Sequence, residues 1–128
     1  PVRIPFPRQE AGPNRLPSII ENVPPETAQS IVQADQQQLA TRAIRSTDHF
    51  VATFYDKTVS VPYLLEILAS LPQGSSELMT HPGMLDDQLR KESRYNLQRE
   101  DELAVLANPQ IVDYLVQLDI RLITFADL

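Results

Sequence analysis

The sequence predicts an α/β fold in which parallel strands alternate with helices, amounting to about half of a (β/α) barrel. Short apolar and β-branched runs alternate with segments whose apolar residues recur at helical spacing. Each connection between consecutive runs is long enough for a helical crossover, which favours parallel pairing of the strands. The 128 residues hold four such units, and a closed barrel of this kind has eight.

The N-terminal part predicts a strand, a loop and a helix. Val2–Phe6 alternates apolar and charged residues, which is typical of a strand, and its prolines limit the length of that strand. A loop rich in proline and asparagine follows, with at most a helical turn at Ser18–Asn22. Pro24-Pro25-Glu26-Thr27 then opens the first helix, because proline is tolerated in a first turn and an acidic residue there suits the helix dipole.

The middle of the chain predicts two strands around a second helix. His49–Tyr55 is rich in aromatic and β-branched residues and predicts the second strand. Ser60 is a candidate N-cap for a helix with a leucine-rich face, which the Leu71–Gly74 segment ends. The third strand follows directly at Glu77–Thr80.

The C-terminal part predicts two further helices and a last strand. A polar connection runs from residue 84 to residue 96, and a helix is expected at Gln98–Ala107. Asn108 and Pro109 are a favoured cap and a favoured first-turn residue for another helix, ending near Leu118. Ile120–Phe125 predicts the fourth strand.

His81 is the strongest candidate for chemistry. It lies between the third predicted strand and the Pro82-Gly83 turn. In parallel α/β folds ligands and catalytic groups collect at the carboxyl ends of strands. Histidine transfers protons near neutral pH, so His81 is a candidate general acid or substrate contact. The alternative is a histidine that only hydrogen-bonds the loop backbone.

Other polar residues have a functional and a structural interpretation. Arg3 is expected near the C-terminal end of the first strand and is a candidate substrate contact or half of an ion pair. Asp48 and His49 begin the second strand and are candidate substrate contacts, although Asp48 is expected to cap a turn. Tyr95 is expected to pack with its hydroxyl tethered.

Two pairs of charged residues also have more than one interpretation. Asp86-Asp87 is interpreted as a solvated loop rather than a metal site, because adjacent carboxylates usually point apart. Arg99 and Glu102 stand three residues apart on a predicted helix and are expected to pair with each other or with a neighbour.

The composition excludes several classes of protein. A net charge of -6 without a basic cluster argues against a nucleic-acid partner. The absence of cysteine excludes disulfides and thiolate chemistry. No apolar run approaches the roughly 18 residues of a membrane span, and no signal-peptide pattern opens the chain, so a cytoplasmic location is expected. The chain begins at Pro1 with a strand pattern, which suggests a piece of a longer protein.

Several stretches, in matching order and spacing, resemble the C-terminal half of the YdjC-like carbohydrate deacetylases, which include the chito-oligosaccharide deacetylases. The stretches that carry the resemblance are Val2–Pro5, Thr47–Val51, Ser76–Gly83, and Arg94-Tyr95 followed by Arg99, Glu102-Leu103, Leu106 and Ile120–Leu128. The Glu-Leu-Met-x-His-Pro-Gly stretch with the tyrosine, arginine and Glu-Leu downstream is the most specific part. The resemblance covers nearly the whole chain.

The resemblance implies a metal-dependent hydrolase on a (β/α) barrel of the glycoside hydrolase and deacetylase type. Its substrate would be an N-acetylated sugar or oligosaccharide. A divalent metal, magnesium or zinc, would polarise the amide carbonyl and activate a water, with a carboxylate as base and a histidine protonating the leaving amine. The implied metal ligands, an aspartate of an Asp-Asp-Phe-Gly-like stretch and two histidines, belong to the first half of the family sequence. No metal and no activity are therefore expected for this chain alone.

Two hypotheses from different classes follow. The first is the C-terminal half of a carbohydrate deacetylase, which supplies one wall of the sugar site around His81 and is inactive alone. Its partner would be the missing N-terminal half. The second is a non-catalytic α/β module that self-associates with a second copy through exposed sheet edges, and such edges predict an oligomer in either case.

Overall fold

Two short parallel strands form the sheet in a computed structural model that describes residues 24–128. Strand β1 (His49–Val51) pairs with β2 (Ser76–Leu78), with His49 opposite Ser76 and Val51 opposite Leu78. The parallel pairing confirms the predicted direction of these strands. Both are shorter than predicted, because a ladder ends where one strand loses its partner. Tyr55 still has extended backbone angles, with φ −156° and ψ 142°.

The described part of the chain also contains five α-helices. They are α1 (Pro25–Thr41), α2 (Val61–Ala69), α3 (Asp87–Glu92), α4 (Leu97–Leu106) and α5 (Pro109–Gln117). The predicted caps are confirmed: the Ser60 side chain accepts the Tyr63 N–H, and the Asn108 side chain accepts the Gln110 N–H at 2.9 Å. Local capping signals therefore fix where α2 and α5 begin.

Two predicted elements are wrong. Residues 120–124, predicted as a strand, have no regular structure and lead into a 3₁₀ turn at Phe125–Asp127. The Asp127 carboxylate accepts the Thr124 N–H at 2.7 Å and its hydroxyl at 2.8 Å. Side-chain bonds of this kind compete with a strand ladder. The connection predicted as polar loop contains α3, which Asp86 caps by accepting the Leu89 N–H at 2.7 Å.

Two units divide the described residues between them. The first contains residues 24–53, 72–78 and 122–128, with α1, the two strands and the buried Phe50. The second contains residues 54–71 and 79–121, with α2, α3, α4 and α5. Its core is a set of buried apolar side chains, and α2 packs on α5 there: Phe54, Leu64, Ile67, Ile111 and Leu115. One charged side chain, Glu102, is buried with them.

The predicted first strand (Val2–Phe6) and the helical turn at Ser18–Asn22 lie outside the described residues. Across residues 24–128, no helix has the length and apolar character needed to cross a membrane.

Candidate functional site

The predicted site residues fall in different parts of the chain. His81 lies in the second unit, three residues after the end of β2, and its side chain is 32% exposed. Asp48 and His49 lie in the first unit, where they enter β1. Arg3 lies outside the described residues. The structure therefore describes the surroundings of His81 separately from those of Asp48 and His49.

Asp48 joins the starts of the two strands. Its Oδ2 accepts the Ser75 backbone N–H at 2.9 Å and the Ser75 hydroxyl at 2.7 Å. In return the Asp48 N–H donates to the Ser75 carbonyl at 2.9 Å. The neighbouring Gly74 has φ +112°, and a Cβ there would lie 2.8 Å from Asp48 Oδ2. The Asp48 carboxylate therefore holds the turn at Gly74 and Ser75, which leads into the opposite strand, β2.

His49 is anchored to the backbone of the same unit. Its Nε2 lies 3.1 Å from the carbonyl oxygen of Gln73. A carbonyl oxygen only accepts hydrogen bonds, so this contact assigns the ring hydrogen of neutral His49 to Nε2. In this neutral tautomer the other ring nitrogen, Nδ1, is a hydrogen-bond acceptor.

Glu102 of α4 is the centre of the cluster around His81. The side chain is fully buried, at 0% exposure. Its Oε2 accepts the backbone N–H of His81, and its Oε1 accepts the hydroxyl of Tyr95. These bonds use both oxygens, which a buried carboxylate requires. The tethered hydroxyl of Tyr95 confirms that sequence prediction.

The hydroxyl of Tyr95 is held in its protonated form. Burial is the largest cause, and the hydrogen bond that the hydroxyl donates to Glu102 adds to it, because a phenolate could not donate that bond. The same hydroxyl also accepts the backbone N–H of Asp56 at 3.2 Å, which acts in the opposite direction. Together these effects raise the pKa of Tyr95 to about 12.

Three rings pack around one another at this cluster. Tyr55 stacks on Tyr95 with centroids 4.3 Å apart and planes 7° apart. The His81 ring meets both edge-on, 5.6 Å from Tyr55 and 5.7 Å from Tyr95. Tyr55 is 44% exposed, so the cluster presents an aromatic surface and an accessible imidazole side by side.

Arg99 ties the loop after His81 to α4. Its Nε donates to the Tyr95 carbonyl at 3.0 Å, and its Nη1 donates to the His81 carbonyl at 3.2 Å. Its own carbonyl accepts the Gly83 N–H at 3.1 Å. Arg99 and Glu102 each bond to a neighbour, the outcome expected if they did not pair with each other. They hold the backbone of His81 from its carbonyl and its amide respectively.

Asp56 adds a strained residue beside the rings. Its φ is 53°, in the left-handed region that most residues avoid. The Asp56 N–H donates to the Tyr95 hydroxyl, and Gln98 Nε2 donates to Asp56 Oδ1 at 3.2 Å. The unusual backbone at Asp56 is therefore held by side chains of the same cluster.

A metal ion does not fit the described part of the chain. Within residues 24–128, no group of three or more histidine, aspartate or glutamate side chains is arranged to hold one. A metal site that activates water generally has about three protein ligands. Asp86, one of the adjacent acidic residues, caps α3. The ligands implied by the family resemblance would have to come from elsewhere.

Local sequence patterns do not reveal the role of two members of the cluster. Glu102 is predicted to pair with Arg99 or with a neighbour, and the partners it has are 21 and 7 residues away. Tyr55 was interpreted only as part of a strand. The available signal for Glu102 was its place in the Glu-Leu pair of the resemblance, and an aromatic residue at the end of an apolar run was the signal for Tyr55.

The chain matches the family described as YdjC-like protein over residues 1–117. It is 33% identical over 92 residues to a carbohydrate deacetylase of Thermoanaerobacter pseudethanolicus, covering 72% of this chain and 37% of that protein. A chitooligosaccharide deacetylase of Yersinia enterocolitica is 33% identical over 98 residues, covering 74% of this chain and 38% of that protein. The chain thus spans less than two fifths of the length of these curated relatives.

A crystal structure from Enterococcus faecalis V583 has the same fold, with a TM-score of 0.66 and 25% identity. The match covers 76% of this chain and 38% of that one, whose given name provisionally assigns it to cellobiose-phosphate cleavage. It confirms the α/β class with parallel strands. Together with the match over residues 1–117 and relatives at a third identity, it shows that the chain belongs to the YdjC-like family of carbohydrate deacetylases.

Proposed function

We propose that the chain is the C-terminal half of a metal-dependent carbohydrate deacetylase that hydrolyses the N-acetyl groups of amino sugars. The observation that carries the proposal is the family match over residues 1–117. Relatives named carbohydrate deacetylase and chitooligosaccharide deacetylase support the substrate class. Since those relatives are more than twice as long as the matched region, the magnesium or zinc ligands would come from polypeptide equivalent to the rest of their length.

His81 is proposed as the proton donor at the sugar site. Hydrolysis of an N-acetyl group breaks the bond between the carbonyl carbon and the nitrogen, and the departing nitrogen must take up a proton. The His81 ring is partly exposed, while its backbone is held at both ends by Glu102 and Arg99. A proton donor needs this combination of access and fixed position. The alternative for the same ring is a hydrogen bond to a sugar hydroxyl.

Tyr55 is proposed as part of the wall on which the sugar packs. Its ring is 44% exposed and is supported from behind by Tyr95. An exposed, rigid aromatic ring beside a polar group is typical of sites that bind a partly apolar ligand such as a sugar ring. Arg3, Asp48 and His49 remain proposed substrate contacts, with the Asp48 carboxylate already committed to Ser75.

An acetate-release assay tests the proposal. The complete reading frame containing this chain is expressed and incubated with N-acetylated chito-oligosaccharides, and the 128-residue chain is assayed beside it. The complete protein is expected to release acetate, and the 128-residue chain alone is expected to release none. Replacing the general acid in His81→Gln should lower kcat by about 100-fold or more.

His49→Gln is the matched control, because it removes the other histidine, in the first unit. We expect it to change KM more than kcat, as for a substrate contact. Acetate release by His81→Gln within twofold of the unsubstituted protein would remove the proposed role of His81. A complete protein without activity on any N-acetylated amino sugar would remove the proposed function itself.

A further inference from the structure

One ring nitrogen of His81 lacks a partner inside the protein. Nδ1 is buried and makes no hydrogen bond. A buried polar atom without a partner is destabilising, because it has given up its hydrogen bonds to water. The acceptor that faces it is Glu102 Oε1, at 3.8 Å, which is slightly beyond hydrogen-bond distance. Hydrogen bonds at catalytic groups are often long without substrate and shorten when it binds.

We propose that Glu102 is a positioning residue for His81: it holds the imidazole with a protonated Nδ1 facing Oε1, so that Nε2 is the atom presented to the substrate. The role of Nε2 at a substrate rests on the proposed function above. The tautomer of His81 does not, because it follows from the buried carboxylate alone.

The surrounding rings favour this orientation. Tyr55 and Tyr95 meet the imidazole edge-on at 74° and 71°, so a flip of the ring would have to displace both. Oε2 and the backbone N–H of His81 are bonded to each other, which fixes the carboxylate relative to the histidine main chain. Nδ1 and Oε1, 3.8 Å apart, then need to approach by only about 1 Å to form a hydrogen bond.

Tyr95 competes for the same oxygen. Its hydroxyl donates to Oε1, the atom that Nδ1 faces. A carboxylate oxygen accepts more than one hydrogen bond, so Nδ1–H and the hydroxyl can share it, each weakening the other. Removal of the hydroxyl should therefore strengthen the contact between Nδ1 and Glu102. A purely structural Glu102, which only holds the loop, predicts no such effect.

Nitrogen NMR of the two imidazole rings tests the proposal. Long-range ¹H–¹⁵N spectra at high pH report which ring nitrogen carries the hydrogen in each neutral histidine. In the unsubstituted protein, His81 should be mainly Nδ1–H and His49 mainly Nε2–H, as its bond to Gln73 indicates. In Glu102→Gln, which keeps an oxygen for the His81 N–H, the share of Nδ1–H at His81 should fall at least twofold.

Two further variants make the result decisive. In Tyr95→Phe the Nδ1–H share at His81 should rise, the opposite direction. Asp101→Asn, at an exposed position on the same helix, should leave the His81 spectrum unchanged. The spectrum of the His49 ring should be the same in all of these variants. A His81 ring that is mainly Nε2–H in the unsubstituted protein, or a tautomer ratio that Glu102→Gln leaves the same, would overturn the proposal.

A kinetic measurement separates this proposal from the proposed function. In the complete protein, Glu102→Gln should lower kcat at least tenfold with KM within twofold, and Glu102→Asp should recover part of the loss. Equal kcat in Glu102→Gln and the unsubstituted protein would overturn the positioning role while leaving deacetylation intact. A complete protein without activity would overturn deacetylation, and the tautomer measurement would still decide the role of Glu102.

Discussion

The two histidines of this chain occupy contrasting surroundings. His49 donates from one ring nitrogen to a backbone carbonyl, beside strands that Asp48 and Ser75 clamp together. His81 has a buried ring nitrogen without a partner, facing a fully buried carboxylate. The first is anchored to a neutral group and fixed. The second faces a buried carboxylate oxygen across 3.8 Å.

The difference between these surroundings indicates which kind of polar contact is typical of a functional site. Around Asp48 the acceptors and donors are matched and exposed, so solvent can replace any of them. Around Glu102 the bonds are part-buried and end on a fully buried carboxylate, where water replaces a lost partner less readily. Buried polar groups that are costly to keep more often serve a function than exposed ones.

Glu102→Ala should give the largest effect on stability. It removes the acceptor of the His81 N–H and of the Tyr95 hydroxyl, and leaves a cavity in the second unit. We expect the free energy of unfolding to fall by about 3 kcal/mol, measured by urea denaturation. Asp101→Ala, at an exposed position on the same helix, is the control and should lower it by less than about 0.5 kcal/mol. Equal losses in the two variants would show that the buried carboxylate stabilises the fold no more than an exposed one.

Gly74→Ala should give a smaller loss in the other region. The residue has φ +112°, and the added Cβ would lie 2.8 Å from Asp48 Oδ2. We expect the free energy of unfolding to fall by about 2 kcal/mol. In the background of Asp48→Ala the loss should be smaller, because the close approach disappears and only the backbone strain remains. Strict additivity of the two substitutions would show that the carboxylate is not held against Gly74.

The stability of the region around Glu102 should also depend on alkaline pH. Folding raises the pKa of Tyr95 from 10.0 to about 12, so the folded state keeps a proton that the unfolded state loses. The contribution of this hydroxyl to stability is complete below pH 10 and is lost as the pH rises to 12. Urea midpoints across that range should therefore fall less steeply for Tyr95→Phe than for the unsubstituted protein. Parallel curves would contradict the buried hydrogen bond to Glu102.

His49→Gln should give the smallest effect. Its one hydrogen bond to Gln73 is partly accessible to water, and the glutamine amide can donate a similar bond. We expect a change of less than about 0.5 kcal/mol in the free energy of unfolding. A loss as large as that of Glu102→Ala would mean that the surroundings of His49 contribute as much to stability as those of His81.

The sequence predicts best where the signal is local. Ser60 and Asn108 mark helix starts because a cap acts within three residues. The strand predicted at 120–125 failed because its pattern needs a partner strand, and Thr124 and Asp127 form a turn instead. The helix α3 was missed because it has a single apolar residue, Leu89.

The candidate site follows the same rule. His81 could be singled out because a strand pattern and a Pro-Gly turn flank it directly. Its dependence on Glu102 could not, because the contact spans 21 residues and an acidic residue on a helix is usually solvated. Such contacts are decided by how elements pack, which no local pattern encodes.

Asp56 carries a consequence for how this protein can diverge. Its left-handed backbone, at φ 53°, suits aspartate, asparagine and glycine and disfavours valine or isoleucine. Its side chain is exposed, and exposure alone would suggest a position that tolerates most substitutions. We nevertheless expect few residue types at this position among homologous sequences, because the backbone conformation limits which residues fit.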